Sequence, residues 1–122
     1  MIPHALLIIG SGLLINVADA IPKYDVARTC RAAVAMTTGA GQGRTVENCV
    51  AGEEAARKDL EKHWATAPAA ERTQCSGTVA VGGAHAHSYV ELLICLEMMR
   101  DSRVRRDDEQ TKAKQLSPAK RR

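Results

Sequence analysis

The chain has 122 residues, a formal net charge of +3 and very few aromatic side chains, with no Phe, one Trp and two Tyr. This length fits one small domain, and so few large apolar side chains exclude a core that is stable without cross-links. The charge is uneven. Residues 21–100 carry nine basic and nine acidic side chains, whereas residues 101–122 carry eight basic and four acidic ones, a difference of +4.

The N-terminus is apolar. Residues 5–15 form an apolar run of signal-peptide length, followed by the small-residue sequence Ala18-Asp19-Ala20. These eleven residues are too few to span a bilayer, which needs about 20. We therefore predict a signal peptide over residues 1–20, a periplasmic or secreted bacterial protein, and no transmembrane segment after cleavage. An uncleaved anchor is the alternative, because only His4 stands where Lys or Arg is usual.

The chain has four cysteines, Cys30, Cys49, Cys75 and Cys95. In an exported chain an even number predicts disulfides, and the absence of a Cys-x-x-Cys pair disfavours zinc and thioredoxin-like sites. Cys30 lies about two turns before the end of the first predicted helix and Cys49 about one turn into the second, so an antiparallel hairpin brings them level. We predict the pairs Cys30–Cys49 and Cys75–Cys95; Cys30–Cys95 with Cys49–Cys75 is the alternative.

The first two predicted helices have clear start signals. Asp25 is the N-cap of a helix that reaches about Thr37, and Thr45 is the N-cap of a longer helix that reaches about Ala65. The glycine-rich segment 39–43 between them fails the Walker pattern of a phosphate-binding loop and has no preceding strand. It is therefore interpreted as a flexible connection between helices.

One charged pair lies inside the apolar stripe of the second helix. Glu53 and Arg57 are spaced i,i+4 on the face that also carries Leu60 and Trp64. Such a pair predicts either a binding site or a half-buried ion pair whose charged ends reach water. Glu53 and Arg57 are thus candidate binding residues.

A short third helix is expected to begin near Pro68 and to end near Cys75. The Gly/Ala-rich connection that follows contains His85 and His87, whose i,i+2 spacing places two imidazoles on one side of an extended segment. That geometry suits Zn²⁺, Cu²⁺ or Ni²⁺. Two ligands alone make a weak site, so His63 or a carboxylate would have to complete it.

The fourth helix is the most apolar segment outside the N-terminus. Ser88 and Glu91 form a capping box that starts it. Its apolar residues form a broad stripe, and more of them lie on the opposite side, so we expect a central helix covered on more than one side. The stripe consists of Tyr89, Leu92, Leu93, Cys95, Leu96 and Met99.

After Arg100 the apolar periodicity ends. The following residues have no face to bury and extend the helix by at most a turn or two. Residues 102–122 are therefore predicted to be a basic disordered tail. Such a tail makes weak contact with anionic envelope surfaces but has no specific nucleic-acid target. We expect it to be separable from the fold from Asp107 onward.

The sequence Ser-Tyr-Val-Glu-Leu-Leu-Ile-Cys-Leu-Glu-Met, which starts at Ser88, resembles a segment of small exported four-cysteine proteins of alphaproteobacteria. Many of these read Pro-Ser-Tyr-Val-Glu-x-Leu-x-Cys at this point, whereas this chain has His87 in place of Pro. The resemblance covers about residues 24–101. It implies a periplasmic, helical, disulfide-bonded protein, and it implies no functional residues.

Together these signals predict an all-α domain of four helices over residues 21–101, the third short, stapled by two disulfides. The expected function is that of an exported, non-catalytic binding or envelope-associated protein with an unidentified envelope partner and no cofactor. The alternative is a metal-binding periplasmic protein that uses His85 and His87. Nothing in the sequence supports an enzyme, because no nucleophile elbow or cofactor loop is present.

Overall fold

The computed structural model describes residues 20–36, 45–83 and 86–117. Over these residues the chain is helical, with no strand. The four α-helices are α1 (Val26–Met36), α2 (Val46–His63), α3 (Ala69–Ala80) and α4 (Tyr89–Gln115), and a single 3₁₀ turn, Trp64–Thr66, follows α2.

Three of the helices begin at the predicted caps. The Asp25 carboxylate accepts a hydrogen bond from the Arg28 N–H at 3.1 Å, and the Thr45 hydroxyl accepts one from the Asn48 N–H at 3.1 Å. The Ser88 hydroxyl likewise accepts from the Glu91 N–H at 3.2 Å. Each side chain satisfies one of the amides that the first turn of a helix leaves unpaired.

The helices pack as two hairpins. α2 contacts both α1 and α4, and α3 contacts α4, so α2 and α4 are the central pair. One apolar cluster joins all four helices, because each contributes buried side chains to it. The most deeply buried members are Cys30, Leu60, Cys75, Tyr89 and Leu92.

One disulfide connects the two helices of each hairpin. Cys30 is bonded to Cys49 and Cys75 to Cys95, with a Cα–Cα distance of 5.7 Å in both cases. The predicted pairing is confirmed and the alternative is wrong. Each bridge closes a loop of about 20 residues, which in the chain-entropy model stabilises the fold by roughly 3 kcal/mol. The two bridges thus compensate for a core that contains no Phe.

The third helix is longer than predicted. It does not end near Cys75 but continues to Ala80. The additional turn and a half brings Val79 into the core, where it is only 5 % exposed, and the Thr78 hydroxyl donates to the Gln74 carbonyl within the helix. The Gly/Ala-rich composition after Cys75 predicted a connection, but burial of Val79 outweighs the roughly 1 kcal/mol that Gly77 costs inside a helix.

The predicted disordered tail over residues 102–122 is wrong in its first part. α4 continues to Gln115 and has 27 residues, so it is about 40 Å long. Once a helix has been nucleated, each further residue adds a hydrogen bond at little cost, and Arg, Glu, Gln and Lys are good helix formers. Lys112 and Lys114 also lie at the negative end of the helix dipole.

Within the described residues, α2 and α3 cover the apolar stripe of α4 but leave part of its opposite side exposed. The predicted core stripe is confirmed, since Tyr89, Leu92 and Leu96 are buried and Leu93, Cys95 and Met99 pack against the cluster. The expected cover on the opposite side is not found among the described residues. There Ile94 is 43 % and Met98 is 65 % exposed.

Four predicted features lie wholly or partly outside the described residues. They are the signal peptide except its last residue, the glycine-rich connection at 39–43, His85, and residues 118–122 of the predicted tail. Among the helices that the structure describes, none combines the length and the apolar character needed to cross a membrane.

The end of α4 generates a prediction about stability. Residues 104–117 are all exposed, so a chain that stops after Arg106 should keep the melting temperature of the full chain within about 1 °C. Calorimetry of the two proteins measures this. A fall of several degrees would show that residues 107–122 pack against the bundle.

A shorter chain is the matched comparison. Stopping after Arg100 also removes Arg103, whose Nε lies 3.5 Å from a Glu71 carboxylate oxygen in a half-buried ion pair. That truncation should lower the melting temperature, because the Glu71 side chain is only 15 % exposed and would lose its partner.

Candidate functional site

The most deeply buried charged group among the described residues is Glu53. It is 6 % exposed and lies midway along α2, facing the start of α4. One carboxylate oxygen accepts a hydrogen bond from the Ser88 hydroxyl and the other accepts one from the Tyr89 N–H, both at 2.6 Å. Glu53 therefore caps α4 from another helix, 35 residues away in sequence.

This position suits a carboxylate electrostatically. The N-terminus of an α-helix carries about half a positive charge and several unpaired amides. Glu53 supplies the negative charge and the acceptors in a place from which water is largely excluded. Ser88, 4 % exposed, adds a second connection, because its hydroxyl donates to Glu53 while accepting from the Glu91 N–H.

Arg57 does not pair with Glu53 as the i,i+4 spacing suggested. Its guanidinium contacts Glu54 at 3.0 Å and Glu61 at 2.6 Å, both on the surface of α2. Hydrogen bonding to Glu54 and the charges of Glu54 and Glu61 raise the pKa of Arg57 above its ordinary value. The two candidate binding residues are thus separated. The Glu53 side chain points into the core, where it accepts hydrogen bonds from Ser88 and Tyr89, and the Arg57 side chain lies at the surface.

Tyr89 connects the segment before α1 to the start of α4. Its hydroxyl donates to the Pro22 carbonyl at 2.9 Å and accepts from the Tyr24 N–H at 3.0 Å. The two tyrosine rings are 4.7 Å apart. One residue therefore joins Glu53 through its backbone and the segment before α1 through its side chain.

His87 holds the turn that precedes α4. Its φ of 61° lies in the left-handed region, its carbonyl accepts from the Thr29 hydroxyl at 3.3 Å, and its ring lies 5.5 Å from that of Tyr24. The backbone at His87 is therefore not extended, and the geometry on which the His85–His87 metal hypothesis rested is absent at this residue. Within the described segments no three His, Cys, Asp or Glu side chains are grouped to hold a metal ion.

A groove opens beside Glu53, between α1, α2 and the start of α4. We call it the Glu53 groove, and its volume is about 320 Å³. Its polar lining consists of Thr29, Asn48, Glu53, Ser88 and Glu91, and its other lining residues are Ala33, Val34, Cys49, Gly52 and Val90. An apolar concave surface with a few converging polar groups is the usual form of a small-molecule site.

Gly52 lines the groove, and the packing of the fold does not require a glycine at this position. It lies in the interior of the 18-residue helix α2, where glycine costs about 0.5–1 kcal/mol relative to alanine. A Cβ built on Gly52 would meet no atom within 4 Å. No close approach of another element therefore demands a glycine here.

Sequence reasoning placed Glu53 on the correct face but missed the groove and its glycine. The available signal was a carboxylate within an apolar stripe, because a buried carboxylate needs donors and a helix N-terminus offers them. Nothing in the sequence indicated which helix N-terminus would supply the donors for Glu53.

The chain was also compared with protein-family models, with curated proteins and with solved structures, and none of the three comparisons finds a match. The resemblance of the last helix to exported four-cysteine proteins stays a hypothesis.

The capping role of Glu53 predicts a large effect on stability. In Glu53→Ala two buried donors lose a charged acceptor, and hydrogen bonds of this kind contribute about 1.5–3 kcal/mol each. We expect the free energy of unfolding, measured in urea, to fall by about 3 kcal/mol or more. Glu53→Gln, which keeps one acceptor oxygen, should fall between this variant and the original chain.

The neighbouring residue provides the control. Glu54→Ala removes an exposed carboxylate whose ion pair with Arg57 contributes at most about 1 kcal/mol. Equal losses in Glu53→Ala and Glu54→Ala would contradict the role given to Glu53.

Tyr24 predicts a pH dependence. Burial first, and then the neighbouring Tyr89 and the charge of Glu53, raise the pKa of Tyr24 above its ordinary value of 10.0. Its contribution is therefore fully present below about pH 10 and is lost as pH rises through the folded-state pKa, because the unfolded chain ionises first. Urea unfolding between pH 8 and about pH 11 should show a steeper loss for the original chain than for Tyr24→Phe. Parallel curves would refute this assignment.

Proposed function

We propose that this chain is an exported, non-catalytic binding protein and that the Glu53 groove is its binding site. The observation that carries the proposal is Gly52, a residue that weakens α2 and leaves open space where a side chain would fit. Departures from local stability rules are expected at functional sites, because function is what compensates for them.

The polar groups of the groove favour binding over catalysis. Both oxygens of Glu53 already accept hydrogen bonds, and the Ser88 hydroxyl donates one and accepts another. The Ser88 hydroxyl is only 4 % exposed and accepts the capping hydrogen bond from the Glu91 N–H, so a substrate has little access to it. These groups are instead rigidly placed to orient a bound molecule.

Two observations support export. The two disulfides indicate a non-reducing environment. In addition, the Tyr89 hydroxyl bonds the backbone at Pro22 and Tyr24. The folded domain therefore extends back toward the N-terminus as far as Pro22, two residues after the expected cleavage position at Ala20. We propose that the protein works in the periplasm.

Contact with an anionic envelope surface is a weaker part of the proposal. Residues 101–117 carry five basic and four acidic side chains, a difference of only +1, and the remaining +3 comes from Lys120, Arg121 and Arg122. Of the described residues, those at the exposed end of α4 do not line the groove. Such contact is weak and is screened at physiological salt.

The test compares two glycines. Gly77 of α3, like Gly52, is exposed and has no atom within 4 Å of a built Cβ, but it does not line the groove. Gly52→Ala and Gly77→Ala should each stabilise the protein by about 0.5–1 kcal/mol in urea unfolding. Destabilisation by Gly52→Ala alone would mean that the fold needs this glycine and would remove the basis of the proposal.

Binding is then measured with leucine at the same positions. The probe is hexan-1-ol, titrated into ¹⁵N-labelled protein while amide shifts are followed by NMR. Saturable shifts are expected at groove residues such as Asn48 and Val90. Gly52→Leu should weaken this binding by roughly tenfold or more, because its side chain occupies the groove, whereas Gly77→Leu should not change it. Equal effects of the two substitutions, or no saturable shift in the groove, would refute the proposal.

A further inference from the structure

The last part of α4 is exposed on every side. Residues 104–115 all lie in the helix and are all exposed, and this extension is about 18 Å long at a rise of 1.5 Å per residue. Among the described residues no ion pair joins two side chains of the extension. A helix that is polar on every side and lacks such pairs is marginal unless another surface packs against it. The described part of the chain provides no such surface.

One stripe of α4 continues from the bundle into this extension. We call it the α4 seam, and it consists of Met98, Ser102, Arg105, Glu109, Lys112 and Leu116. Its members are spaced alternately four and three residues apart, so they lie within about 80° of one another around the helix, opposite the core stripe. Met98 is 65 % and Leu116 is 83 % exposed. Alternating steps of four and three are the heptad pattern of a helix that pairs with another helix.

The α4 seam is complementary to itself when one of two copies runs in the opposite direction. If a two-fold axis passes beside residue 107, Arg105 of each copy faces Glu109 of the other, because both lie two residues from the axis. Met98 and Leu116 lie nine residues from the axis, so they face each other at both ends. Every seam position thus meets a suitable partner, as a two-fold symmetric interface requires.

The charges at the centre of the seam favour this antiparallel arrangement. In a parallel pair in register, Arg105 would face Arg105 and Glu109 would face Glu109, so like charges would meet. Within one helix Arg105 precedes Glu109 by four residues, which is the less favourable order for an ion pair. The described structure contains no ion pair between them. Contact with a second copy therefore pairs charges that a single chain leaves apart.

The apolar ends of the seam lie beside a groove. An open groove of about 520 Å³ lies between α3 and α4, and its apolar side chains are Val79, Ile94, Cys95, Met98 and Met99. In the antiparallel pair, Leu116 of the second copy lies opposite Met98 and hence at this groove. Its side chain would then be removed from water by apolar neighbours, which favours association.

From this pattern we infer that the chain forms an antiparallel homodimer through the α4 seam. Two Arg105–Glu109 contacts lie at its centre and one Met98–Leu116 contact lies at each end. Polar residues in such a seam lower the affinity but fix the register and direction of the pair. The dimer is therefore weak, with a dissociation constant on the order of 100 µM. No seam residue lines the Glu53 groove, so this inference does not depend on the proposed binding site.

Sedimentation equilibrium tests the dimer by charge reversal. The purified protein should show a reversible monomer–dimer equilibrium between about 20 µM and 1 mM. Arg105→Glu and Glu109→Arg each bring like charges together at both central contacts, so each should weaken self-association by about tenfold or more. An equimolar mixture of the two variants places opposite charges at both contacts again. The mixture should therefore dimerise at least as tightly as the original chain.

Matched controls make the same changes of charge on the opposite side of the extension. Lys114→Glu and Asp107→Arg, alone or mixed, should keep the original dissociation constant within about threefold. The chain that stops after Arg106 lacks half of the seam and should be monomeric. A monomer at 1 mM, controls that act like the seam variants, or a mixture that fails to dimerise would each overturn the inference.

Discussion

The contact between Glu53 and the start of α4 is the constraint on which this small fold depends. Burying a carboxylate costs free energy unless hydrogen-bond donors replace the water around it. Burying the first turn of a helix likewise costs free energy unless its unpaired N–H groups find acceptors. Each of these groups satisfies the other at 2.6 Å. Because this contact joins the middle of α2 to the first residue of α4, it fixes the position of α4 along the axis of α2.

The other parts of the fold are arranged around that contact. Tyr89 holds the segment before α1 with its hydroxyl, and the His87 carbonyl receives the hydroxyl of Thr29 from α1. One disulfide then cross-links the two helices of each hairpin. Because the buried core contains no Phe and few large side chains, the stability of the fold depends on a few well-placed polar contacts and two covalent bonds as much as on buried apolar area.

The same junction gives the groove its chemistry. Glu53, which caps α4, also lines the groove beside its apolar residues, and Gly52 lies exposed in the wall that α2 forms. Under the proposed function, Glu53 thus has a structural role and also lines the binding site. A substitution of Glu53 would therefore disturb the cap of α4 as well as the groove, whereas a Cβ at Gly52 meets no atom within 4 Å.

The sequence by itself determined the local features, namely the N-caps Asp25, Thr45 and Ser88 and the apolar stripe of α4, and it favoured the observed disulfide pairing over one alternative. Each depends on neighbours within a turn or on the geometry of one hairpin. The tertiary structure alone decided that Glu53 turns from Arg57 toward Ser88, that α3 continues to bury Val79, and that Ile94 and Met98 stay uncovered. Those outcomes depend on which helix faces which, and i,i+4 spacing carries no information about contacts 35 residues away in sequence.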